Sequence, residues 1–166
     1  MKLGSLSSSL IQRISNNSVW EWTESSFDSF ANDHGLVKTN NGTESRINYI
    51  SSESGIDIDL YISDTLIEWI DVAIDVILDP QTSLVREYNA NVQSLQVKFQ
   101  ESLSQIEGEI GAAQLRTSSC PSETINFYCA IEIAVWNFNN SVVILKLEHQ
   151  DPDVPLILDL IIKPNE

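Results

Sequence analysis

Eight carboxylates lie between Arg46 and Arg86 with no lysine or arginine among them: Glu53, Asp57, Asp59, Asp64, Glu68, Asp71, Asp75 and Asp79. Carboxylates grouped in this way can hold a hard cation, exchange protons with a substrate, or offer a negative surface to a basic partner. Their spacing separates these uses. Asp57-Ile58-Asp59 puts two carboxylates on one side of an extended chain. Asp64, Glu68, Asp71 and Asp75 recur at three- and four-residue steps, which predicts one face of a helix. A row of like charges costs an isolated helix ~0.2–0.5 kcal/mol per neighbouring pair. No cation is interleaved to offset that cost, so a cationic partner would relieve it. The plain alternative is a solvated face.

Other chemistries find less support. Glu148-His149-Gln150-Asp151-Pro152-Asp153 gathers possible ligands in a turn, but no EF-hand loop is present. The two histidines, His34 and His149, and the two cysteines, Cys120 and Cys129, lack a zinc spacing. No metal and no cofactor is expected. No serine sits in a G-x-S-x-G turn, and nothing in the sequence around Cys120 would lower its pKa. Gly108-Glu109-Ile110-Gly111 follows a helix and lacks the lysine of a phosphate-binding loop. His34 near a helix C-terminus has a structural reason to be there.

The four tryptophans are Trp20, Trp22, Trp69 and Trp136. Trp69 borders the carboxylate row, and Trp136 falls on the polar-side register of a strand. An aromatic ring among carboxylates is the composition of a protein-binding hot spot, with boundary packing as the alternative.

The elements that must position these residues follow from periodicity. Asn17 or Ser18 caps a helix that stops at Gly35, with Glu21 three residues after Ser18 as in a capping box, and Leu10, Ile11 and Ile14 make a short helix before it. Asn40-Asn41-Gly42 turns between two short strands over 36–38 and 46–51. Ile56, Ile58, Leu60 and Ile62 alternate with Asp57, Asp59 and Tyr61, a strand with one buried and one acidic face. Ser63 or Asp64 caps the acidic helix, whose apolar side is Leu66, Ile67, Ile70, Ala73, Ile74 and Ile77; a strand over 71–78 is the competing reading. A long helix is expected over 82–114. Three antiparallel strands follow, with a hairpin turn at Asn139-Asn140. The fold class is therefore α+β. One domain over 1–166 carries an N-terminal helix, a short β-meander, an acidic helix and a long helix packed on a C-terminal three-stranded antiparallel sheet.

The chain has 166 residues, 42% hydrophobic and 20% charged, with a formal net charge of -15. That is a globular composition with a strong negative field. It disfavours nucleic acid and anionic membrane, and it favours a basic protein partner. No stretch has the ~20 apolar residues of a membrane span, the N-terminus lacks a signal-peptide core, and two free thiols suit a reducing compartment; a cytoplasmic location is expected.

These observations point to a non-catalytic acidic binding module that neutralises a basic protein. Its most concrete form is an immunity protein that blocks a nuclease-like toxin domain. Asp57, Asp59, Asp64, Glu68, Trp69, Asp71 and Asp75 are the expected contact residues. The competing readings are a small acidic secretion-type chaperone and an enzyme using carboxylate acid–base chemistry.

Overall fold

The computed structural model describes residues 5–16, 20–39, 43, 45–51, 55–78, 85–118, 130–149 and 155–165. Their elements run in the order α1 (Ser5–Asn16), α2 (Glu24–Asp33), β1 (Leu36–Lys38), β2 (Arg46–Ser51), β3 (Asp57–Ser63), β4 (Leu66–Ile77), α3 (Val85–Ile110), β5 (Leu115–Thr117), β6 (Ala130–Asn137), β7 (Ser141–Glu148) and β8 (Leu156–Pro164). All eight strands join one antiparallel sheet in the order β1-β2-β3-β4-β8-β7-β6-β5. Two four-stranded meanders, one from each half of the chain, meet where β4 pairs with β8.

This corrects the expected architecture in two places. The C-terminal strands are not a separate three-stranded sheet; they are half of an eight-stranded one. The acidic helix over 64–77 does not exist. Asp64 and Thr65 form a turn, and the rest is the long strand β4. The helical spacing has a specific origin. Between Tyr61 and Ile62 the β3 register shifts, so Glu68 is an extra residue in β4; a second shift makes Ile74 extra opposite β8. Two bulges stretch the apolar series to Ile67, Ile70, Ile74 and Ile77, steps of three and four that imitate a helix. Six β-branched residues in twelve (Ile67, Ile70, Val72, Ile74, Val76 and Ile77) suit the strand.

The three helices share one side of the sheet. Leu95, Phe99, Leu103 and Ile106 of α3 and Leu10, Ile11 and Ile14 of α1 are buried in a common core with Ile58, Leu60, Ile70, Leu145, Leu158 and Leu160. Trp136 is fully buried in this core and donates its Nε1–H to the Gly111 carbonyl at 2.9 Å. Its expected polar-side register is wrong because both faces of β6 are buried. The helix α2 starts later than expected. Its cap is Thr23, whose Oγ1 accepts from Ser26 N, and the expected cap at 17–18 lies outside the described residues. It ends as expected at His34 and Gly35, where φ is +65°. Fully burying Phe27 and Phe30 stabilises this contact by ~1.5–3 kcal/mol per side chain. The long helix is α3, which ends at Ile110, earlier than expected; residues 82–84 lie outside the described residues.

Candidate functional site

The opposite face of the sheet holds a second, smaller cluster: Ala130, Ile133, Val135, Ile144 and Ile161, flanked by Trp69 and Val142. No described helix contributes to it. This face is divided. Its β6–β7–β8 half is mainly apolar, and its β2–β3–β4 half is polar.

Alternation and register build the polar half. With Ile58 and Leu60 turned to the helices, Asp57, Asp59 and Tyr61 point the other way. Asp59 lies directly opposite Asp71 of β4, and Tyr61 opposite Trp69. The Tyr61 and Trp69 rings stack with centroids 4.3 Å apart. Asn48 of β2 donates from Nδ2 to Asp57 (2.7 Å) and Asp59 (3.1 Å), and Arg46 pairs with Asp59 at 2.5 Å. Asp71 has no hydrogen bond or ion pair among the described residues and is partly buried.

Behind this row sits a buried charged group. Lys146 of β7 lies 2.8 Å from Glu148 and 3.4 Å from Asp159 of β8. Their side chains are 6%, 6% and 4% exposed, far below what ordinary charged side chains keep. Asp159 is one register step diagonal to Asp71, because Asp71 pairs with Ile161 and Ala73 with Asp159. One carboxylate oxygen of Asp159, Oδ1, is buried without a hydrogen-bond partner among the described residues.

The electrostatics follow from this crowding. Burial pushes the Asp71 carboxyl up to about 6; Lys146 opposes the shift, and the Asp59 and Glu148 charges add to it. Burial, with Asp71 beside it, also holds Asp159 well above the ordinary carboxylate range, against the pull of Lys146. Burial alone would lower Lys146, but Asp159 and Glu148 override it and raise its pKa. Desolvation raises the Tyr61 hydroxyl too.

The expected contact residues divide. Asp57, Asp59, Trp69 and Asp71 share the polar half of this face. Asp64 sits in the β3–β4 turn with φ +58°, in a small depression with Thr23, Glu24 and Asp28. Glu68, at the first bulge, is exposed. The second bulge turns Asp75 to the helix side, where it pairs with Lys98 of α3. Arg46, Asn48, Lys146 and Asp159 were not anticipated, and Glu148 was expected only as a ligand in a turn. A signal for Asp159 exists: it is the one carboxylate in β8, set in the apolar run from Leu156 to Ile162.

The turn after Glu148 lies outside the described residues over 150–154, as do Cys120 and Cys129. His149 Nδ1 meets the Tyr88 hydroxyl at 2.9 Å, and His34 stacks on Phe30 with centroids 4.2 Å apart. Among the described residues no three His, Cys, Asp or Glu side chains are arranged to hold a metal ion. A groove of about 1000 Å³ beside α3 is lined by Gln93, Gln96, Val97, Gln100, Glu101 and Glu132 among others. No described helix is long and apolar enough to cross a membrane. Compared with known proteins, the chain matches no family model, no curated protein and no solved structure.

Proposed function

We propose that this chain is a non-catalytic binding protein that docks a basic protein partner on the β2–β3–β4 half of the sheet face to which no described helix contributes. The most concrete form is an immunity protein that covers the cationic site of a toxin domain. One observation carries the reading. Asp57, Asp59 and Asp71 lie side by side with the stacked Tyr61–Trp69 pair, on a face to which no described helix contributes. Carboxylates speed and orient the approach of a basic surface, and a flat aromatic stack supplies contact area once water is expelled. The net charge of -15 extends the attraction beyond the patch.

The test is affinity capture from the native organism on tagged protein, washed at low and then high salt. The wild type retains one stoichiometric basic protein that salt releases. The double variant Asp57→Asn/Asp59→Asn, checked for an unchanged circular dichroism spectrum, loses it. Equal retention by the variant refutes this site.

A second reading is favoured by the Asp71 carboxyl at about 6, a value suited to general acid–base work near neutral pH. Under that reading Asp71→Asn abolishes a turnover, and docking of a protein is incidental. The binding reading stands first because the stacked Tyr61–Trp69 pair lies beside the carboxylates and supplies the contact area a protein partner needs.

A further inference from the structure

We propose that Asp59 and Asp71 form a subsite for one basic side chain of the partner, an arginine guanidinium, which enters in exchange for a proton held between Asp71 and Asp159. The inference rests on the docking reading above and specifies what the partner must present.

Two independent observations meet here. The first is placement. Asp59 and Asp71 are direct cross-strand neighbours, an arrangement that is repulsive when both are ionised. Arg46 engages Asp59 from the β2 side, while Asp71 has no hydrogen bond or ion pair among the described residues and keeps some exposure. The second is the orphaned oxygen behind them. Asp159 is 3% exposed, and its Oδ1 has no donor among the described residues. A buried carboxylate oxygen without a donor is unstable as an anion, so the group takes up a proton or a cation.

The charges facing this point are countable by element. Strand β2 contributes Arg46; β3 contributes Asp57, Asp59 and Tyr61; β4 contributes Asp71; β7 contributes Lys146 and Glu148; β8 contributes Asp159 and Lys163. Among the described residues no helix adds a charge. Among the described residues five carboxylates therefore face three cations, with Lys146 already set between Glu148 and Asp159. A planar guanidinium suits two adjacent carboxylates better than a lysine ammonium, because its donors fork toward both. On binding, the arginine N–H groups donate to the Asp59 and Asp71 oxygens, and the proton formerly on the group leaves to solvent. The high value for Asp71 agrees with a proton being available for that exchange.

The experiment uses a hexa-arginine peptide as probe with the full chain. Titration calorimetry in two buffers of different ionisation enthalpy reads the protons released. Wild-type protein binds with net proton release, and its affinity rises roughly tenfold between about pH 5 and about pH 7, as a site titrating near 6 requires. Asp71→Asn abolishes both the release and the pH dependence, while Glu101→Gln on the exposed side of α3 leaves both intact. Asp159→Asn, if it folds, reduces the release. Binding without proton release, or release unchanged in Asp71→Asn, overturns the subsite and leaves the docking reading standing. A failure to bind the peptide also overturns the subsite. The docking reading falls separately, if Asp57→Asn/Asp59→Asn retains the captured partner.

Discussion

Asp59 and Asp71 stand directly opposite each other on β3 and β4, two carboxylates paired on a sheet face that the described helices leave uncovered. Cross-strand neighbours of like charge oppose strand pairing. The pairing survives because Arg46 and Asn48 hold Asp59 from one side, while burial keeps Asp71 from ionising fully at mildly acidic pH.

A dependence of stability on pH follows. Unfolded, Asp71 titrates near the ordinary value of ~3.9; folded, it titrates at about 6. The folded state binds the extra proton, so stability falls as pH rises from about 4 to about 6 and is regained on acidification through the same window. The step is on the order of 3 kcal/mol. Urea denaturation across this range shows the slope in the wild type and a flatter profile in Asp71→Asn.

Lys146 is the cation that makes the buried group tolerable. Lys146→Met leaves Glu148 and Asp159 without their ammonium. Removing one partner of a buried ion pair costs ~3–5 kcal/mol at neutral pH. The loss shrinks near about pH 5, where a proton on Asp71 or Asp159 reduces the uncompensated charge. Equal destabilisation at both pH values would mean that packing, rather than charge, accounts for the role of Lys146.

Trp69 and Trp136 should behave oppositely. Trp69→Ala removes a ring stacked on Tyr61, worth ~0.5–1.5 kcal/mol beyond its buried area, and weakens partner binding by at least roughly tenfold. Trp136→Ala empties the helix-side core and orphans the Gly111 carbonyl, costing ~3–5 kcal/mol of stability. Thermal melts and binding isotherms on the two variants separate these roles.

Thr23→Ala removes the cap of α2, whose Oγ1 accepts from Ser26 N at 3.3 Å. The expected loss is ~1 kcal/mol, read by chemical denaturation. An unchanged midpoint would mean that Phe27 and Phe30 packing alone sets the start of the helix.

Much of the β structure was legible where alternation is unbroken. The run from Ile56 to Ile62 became β3, and Asn139-Asn140 became the β6–β7 bend. Legibility failed at β4 because Glu68 and Ile74 are bulge residues, and two insertions convert a period of two into apparent helical steps. That error split the acidic row in the wrong way. It set Asp75 beside Asp71, although the second bulge sends Asp75 to Lys98 on the helix side. It also separated Asp71 from Asp59, its actual neighbour. The Lys146–Glu148–Asp159 group was hidden for another reason. Its members come from β7 and β8, and only their register brings them beside β4.

The most direct measurement of the central claim is the association rate with the captured basic partner, followed by stopped flow over a range of ionic strength. The account predicts fast association at low salt that slows steeply as salt is added, and a several-fold slower low-salt rate for Asp57→Lys with the fold unchanged. An Asp57→Lys rate equal to wild type at every ionic strength would contradict docking on the β2–β3–β4 face.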